Sequence, residues 1–396
     1  MHIDDAGGRA SRRTTAGAAA SVVLSGLPPF LTGSLMPLMR DELALDTDRL
    51  GMIVAVYFVC GALSAMPAGR QVERLGARRG ILVANGMTAA SLLTVGLFGR
   101  SWIHLAMAVA VAGGANGMLH PATNLAIVRG VLPGRQGIAF GIKQAAAPTA
   151  TLIAGSAVSA MAGTAGWRWA FLGAALLFPL VAAVLPRRSA ADPPAHRPTP
   201  ADPNRVLIRL AIAAALGFGA ATTLGAFLAD AVVNAGGRAA TAGYALIAAS
   251  VASIAVRLAT GWYTDRTASP SLGLVAGLLA TGSIGFVVLA LGSGPWAWGA
   301  GAILALGAGW GWPGLLYHVV SAANAEAPAA ATAFTTVGNT AGGALGPFAF
   351  GLIARHVSFA AAWGMSAALA LAAALMLVLL QGRADWTGTS APPTTA

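Results

Sequence analysis

The sequence predicts an all-α membrane protein, with twelve transmembrane helices arranged as two pseudo-symmetric six-helix bundles. Three observations predict it. The chain of 396 residues is 57% hydrophobic and 9% charged, with a mean hydropathy of +0.72, whereas soluble domains carry roughly 25% charged residues. Twelve apolar runs of about 20 residues, the length that crosses a hydrocarbon core of about 30 Å, fill nearly the whole chain. The two halves of the sequence also repeat one another at an almost constant offset, which unrelated apolar segments would not do.

Residues 1–15 form a short basic tail, and six spans follow within 16–185, at about 16–39, 50–69, 78–98, 102–128, 137–161 and 168–185. The connector 186–205 is rich in Pro, Ala and charge, lacks apolar periodicity and reads as a flexible linker. Six further spans lie within 206–381, at about 206–231, 239–263, 271–292, 295–322, 328–354 and 359–381, before a disordered tail at 382–396. Pro28, Pro29, Pro121, Pro148, Pro313 and Pro347 fall inside spans. Membrane helices tolerate this because neighbouring helices satisfy the freed backbone groups. The first apolar run is too long for a signal-peptide core and leads directly into a second span, so no cleavage is expected. The single cysteine, Cys60, excludes an intramolecular disulfide.

The formal charge of +11 is not that of a nucleic-acid binder, because it is distributed by side. Arg9, Arg12, Arg13, the cluster Arg70, Arg74, Arg78 and Arg79, and then Arg187, Arg188 and Arg266 fall on one side of a twelve-span alternation. Arg40, Arg49, Arg100, Arg168, Arg238 and Arg355 fall on the other. The excess of basic residues on cytoplasmic loops therefore places both termini and the linker in the cytoplasm. A bacterial inner membrane is the expected location.

The repeat pairs Gly69, Glu73 and Arg74 with Gly261, Asp265 and Arg266, and Gly117 and Pro121 with Gly309 and Pro313, at an offset of 192. Ala139, Phe140 and Trp169 pair with Ala333, Phe334 and Trp363 at 194. The loop after the second span runs Gly69-Arg70-Gln71-Val72-Glu73-Arg74-Leu75-Gly76-Ala77-Arg78-Arg79, and a degenerate copy, Gly261-Trp262-Tyr263-Thr264-Asp265-Arg266, follows the eighth. This pattern resembles the loop motif of the major facilitator superfamily, over roughly residues 16–381. The resemblance implies a gating role for Gly69, Glu73, Arg74, Gly76, Arg78, Gly261, Asp265 and Arg266. The two glycines would permit close helix contact, and the acids would pair with basic groups across the cytoplasmic face.

The same resemblance implies that the first, fourth, seventh and tenth spans line a central cavity. On the fourth, Asn116, His120 and Asn124 recur every four residues and so share one helix face. They suit either a solute or hydrogen bonds between helices. On the tenth, Trp312-Pro313 matches His120-Pro121, and Trp312 is expected to line the cavity, with Trp310, Tyr317 and His318 nearby.

Of 24 basic residues only Lys143 is a lysine, about 10 Å into the fifth span beside Gln144 and Pro148. A charge at that depth costs several kcal/mol and points to a functional site unless it snorkels to the interface. Arg257 lies four residues before Gly261, inside the eighth span. The Arg-x-x-x-Gly-x-x-x-Asp arrangement is similar to that of monocarboxylate transporters and oxalate/formate exchangers, which implies an Arg257 clamp on a carboxylate. A part in the cytoplasmic gate is the alternative.

Of thirteen acids only Asp230 lies near a membrane-embedded position, so the cavity is expected to be net positive and to favour anions. The sequence thus predicts a secondary transporter of a small organic anion, with Lys143 and Arg257 neutralising it and Asn116, His120, Asn124, Gln144 and Trp312 shaping the site. Proton symport through His120 or Lys143, uniport and anion exchange all fit. Export of drugs or secondary metabolites is the nearest rival, and a membrane-embedded enzyme is a remote one. No cofactor, metal or nucleic acid is expected, and no ATP-binding signature is visible. The partners are the solute and the bilayer, with the chain functioning as a monomer.

Overall fold

A computed structural model describes residues 2–132, 135–161, 166–186, 205–266, 271–324 and 328–381. The first half comprises α1 (His2–Leu43), α2 (Thr47–Leu75), α3 (Ala77–Phe98), α4 (Trp102–Gly130), α5 (Gln136–Gln144), α6 (Ala146–Met161), α7 (Trp167–Ala175) and α8 (Leu177–Val184). The second comprises α9 (Arg205–Asn234), α10 (Ala239–Arg266), α11 (Leu272–Leu291), α12 (Pro295–Ala302), α13 (Pro313–Ala323), α14 (Pro328–His356) and α15 (Phe359–Gln381). A π-helical segment, Ile303–Ala308, continues α12 toward the turn before α13. Among the described residues there is no strand.

Ten helical runs among the described residues are long and apolar enough to cross a membrane. The α5–α6 pair and α14 occupy the places of the fifth and eleventh expected spans. The first helix differs from expectation, since it starts at His2 and makes the supposed tail helical. Arg13 donates to the Ala183 carbonyl of α8 at 3.4 Å, which gives this extension a tertiary contact. The linker and the C-terminal tail lie outside the described residues.

Proline sets several local features. A proline has no N–H to return to the carbonyl four residues earlier. In α1, Pro29 therefore leaves the Ser25 carbonyl to Tyr57 of α2, whose hydroxyl donates to it at 2.8 Å. In the fifth span, Pro148 likewise leaves the Gln144 carbonyl without its helical donor, and the helix is interrupted there, at Ala145.

The two ends of the bundle differ. One end carries the α1–α2 and α9–α10 connections, and one apolar core runs through both halves there, from Leu24, Phe30 and Leu35 to Phe227, Phe350 and Trp363. Toward the other end the core divides. Ala18, Ile127, Val131 and Ala139 cluster in the first half, whereas Leu210, Leu279, Trp312, Leu316 and Leu377 cluster in the second. The halves are thus joined at a closed end and separate toward an open end. Glycine permits the join. A methyl group on Gly33 of α1 would run into the Ala226 main chain of α9, and one on Gly51 of α2 would lie 2.6 Å from the Pro347 carbonyl of α14.

Candidate functional site

Polar side chains lock the closed end. The Asp230 carboxylate of α9, only 1% exposed, pairs with Arg40 of α1 and accepts a hydrogen bond from Thr47 of α2 at 2.7 Å. Asp46 lies 3.6 Å from Arg355 of α14. Within the first half, Glu42 accepts from Trp167 at 2.7 Å and pairs with Arg168 at 2.6 Å. Asp230 is expected from the sequence near a membrane-embedded position, but its partners, 190 and 183 residues away, are not.

Beneath this lock lies an aromatic layer shared by both halves. Phe30 of α1 meets Trp310 edge-on at 5.7 Å, and Trp310 meets Phe218 of α9 at 6.1 Å. Phe58 of α2 then meets Phe218 at 5.9 Å and Tyr57 at 5.2 Å. Gly225 and Gly343 make room for Phe30 and Phe58, since a methyl there would approach those rings to 3.0 and 2.8 Å. Each edge-to-face pair adds about 0.5–1.5 kcal/mol beyond its buried area. The layer closes the space between the halves on the side of the lock.

The polar face of α4 divides in use. Asn116 accepts from the Ser25 hydroxyl at 3.0 Å, so it serves the α1–α4 contact. Two turns on, Asn124 accepts from the Lys143 ammonium of α5. His120 lies between them and is exposed, although the face it shares turns toward α1 and α5 rather than the periphery. It therefore borders the open space between the halves.

Lys143 is 5% exposed and does not snorkel. Among the described residues it has no carboxylate within 4 Å, and Asn124 is its hydrogen-bond partner. An ammonium has three donors. The geometry leaves donor capacity on the ammonium beside exposed His120 and Asn124.

Arg257 is placed otherwise than expected. Its guanidinium donates to the Gln144 carbonyl at 2.7 Å and to the Trp310 carbonyl, and its carbon lies 5.9 Å from the Trp310 ring centre. Nε is buried without a partner. In this conformation the guanidinium is committed to main chain and is not presented as a carboxylate clamp. Gln144 contributes its carbonyl to that contact, while its side chain faces Gly314 of α13.

Trp312 does not line the space between the halves. It is 0% exposed and packs in the core of the second half against Gly217 and Leu279. Trp310, two residues earlier, holds the interfacial place instead. His318 is exposed on α13, and Tyr317 is tied to Thr336 and Asn339 at 3.1 Å each.

Of the loop motif, Gly76 ends α2 with φ of 79°, a conformation that favours glycine, while Arg74 is exposed and Arg78 half-buried. The side chains of Arg70, Glu73, Asp265 and Arg266 lie outside the described residues. A methyl group on Gly69 or Gly261 would meet nothing within 4 Å. Among the described residues, the expected close helix contact is not made at Gly69 in this conformation, where the halves are apart at that end.

A family model described as Major Facilitator Superfamily matches residues 18–347. An uncharacterised MFS-type transporter of Mycobacterium tuberculosis is 27% identical over 135 residues, which are 34% of this chain and 23% of that protein's length. Among solved structures, the chain is similar to a bacterial homologue of the human lysosomal transporter Spinster in an inward-facing, unoccupied conformation. The TM-score is 0.64 at 16% identity, covering 93% of this chain and 95% of that one. At such identity the likeness concerns the fold.

Proposed function

Because the chain belongs to the major facilitator superfamily and is therefore a secondary transporter, we propose that its cargo is a small organic anion, a carboxylate foremost. The observation that carries this reading is Lys143, a buried ammonium that has an amide for its protein partner and no carboxylate among the described residues. A charge held in low dielectric without a counter-charge is costly. A bound carboxylate offsets that cost, whereas a lipophilic cation adds to it. His120 and Asn124 border the same space and supply hydrogen bonds, and His120 offers a route for coupled proton movement.

The open end carries the Gly76 turn and the basic loops, so it is assigned to the cytoplasm of a bacterium on the distribution of Arg. The conformation is then inward-facing, with Arg40–Asp230 and the aromatic layer as the outer barrier. In the opposite state Glu73 and Asp265 would close the cytoplasmic side. We assign it as a monomer, since the proposed site draws on residues of a single copy.

Counterflow in proteoliposomes tests the cargo. Vesicles loaded with an excess of one unlabelled carboxylate should accumulate its labelled form from outside, saturably. A panel of labelled lipophilic cations treated likewise should not accumulate. Accumulation of the cations alone would replace the anion reading with drug export, for which the Phe30, Phe218 and Trp310 surface would then be the apolar pocket.

A further inference from the structure

Arg257 closes the inner end of the seam between the halves. Along this seam α6 and α10 run antiparallel: Ser159 lies against Gly243, Gly155 against Gly243 and Leu246, and finally Gln144 against Arg257. Beyond Arg257 toward the open end, Gly261 would accept a methyl group with nothing within 4 Å. Both acceptors of the guanidinium sit at helix interruptions. The Gln144 carbonyl has lost its helical donor to Pro148, and the Trp310 carbonyl lies in the turn between the π-helical segment and Pro313 of α13. One acceptor belongs to each half.

We propose that Arg257 is a clasp between the halves, a positioning residue that holds this conformation by binding the main-chain carbonyl exposed by Pro148, and that Lys143 next to that carbonyl is the solute's counter-charge. The proposal rests on the anion reading for Lys143 alone; the clasp acts without solute. Hydrogen bonds from a charged donor are the stronger kind, and the carbonyls would otherwise be buried without donors. Rocking the halves about the seam moves α5 relative to α10 and breaks the Gln144 bond first, since it spans them.

Spin labels on Val128→Cys of α4 and Ala322→Cys of α13, in a Cys60→Ala background, report separation at the open end. Without any solute, Arg257→Gln should shift the ratio of long to short distances about tenfold toward short, as expected for loss of one charge-assisted hydrogen bond. Pro148→Ala supplies an N–H that competes for the Gln144 carbonyl inside its own helix, and should shift the ratio in the same direction with no charge removed. The double variant should match Arg257→Gln alone, because both changes act on one bond.

An unchanged ratio in Pro148→Ala, or a double variant whose shift is the sum of the two, would overturn the clasp. Loss of the anion reading itself would appear only in transport and binding, not in these solute-free distances.

Discussion

Lys143→Gln is expected to lower affinity for the transported anion at least about thirtyfold. Gln can still donate to Asn124, the ammonium's partner in the native protein, so the helix contact survives while the charge is lost. The carboxylate would then be desolvated without a counter-charge, which costs about 2–5 kcal/mol by analogy with truncated buried charge pairs at interfaces. Each 1.4 kcal/mol is about a factor of ten. Equilibrium binding of the anion identified by counterflow, on variants first shown to be folded, measures the effect. Affinity equal to that of the native protein would remove Lys143 from the site.

Asp230→Asn is expected to have the second large effect, on the closed end rather than on binding. Asp230 is 1% exposed and holds Arg40 and Thr47 from the other half. Removing one partner of a buried pair costs about 3–5 kcal/mol because the remaining charge is stranded. Arg40 is 37% exposed and keeps part of its hydration, so the low end of that range applies. The population closed at this end should fall roughly a hundredfold relative to the open one. Distances between labels on Ala44→Cys and Asn234→Cys, again with Cys60→Ala, should acquire a long component. A distribution like that of the native protein would mean that apolar packing at Gly33 and Gly51 seals this end without the ion pair.

The spans, the repeat and the depth of Lys143 were legible in the sequence because each is a local property: run length, offset, and position within a run. The place of Pro148 inside a span was legible for the same reason, and the carbonyl it exposes follows from proline's missing N–H. What that carbonyl binds was not, because Arg257 is 113 residues away. The same holds for Asp230 and Arg40, where only packing decides which acid meets which base.

Trp312 was misplaced for a more specific reason. Matching Trp312 to His120 across the repeat assumes the same helical phase in both spans, and the π-helical segment Ile303–Ala308 changes that phase just before the two tryptophans. Trp310 therefore takes the interfacial direction and Trp312 turns into its own half. Asn116 and Asn124 share a face with equal spacing, yet one meets Ser25 and the other Lys143. Their neighbours differ, and the spacing alone carries no record of them.

A thermal-shift titration of the purified native protein tests the anion claim most directly, using small carboxylates and lipophilic cations over the same concentration range. A ligand selective for the folded state stabilises it by about 2.7 kcal/mol at a hundred times its Kd. A saturable rise in Tm is expected with at least one carboxylate and none with the cations. Stabilisation by lipophilic cations, with no carboxylate raising Tm, would contradict it.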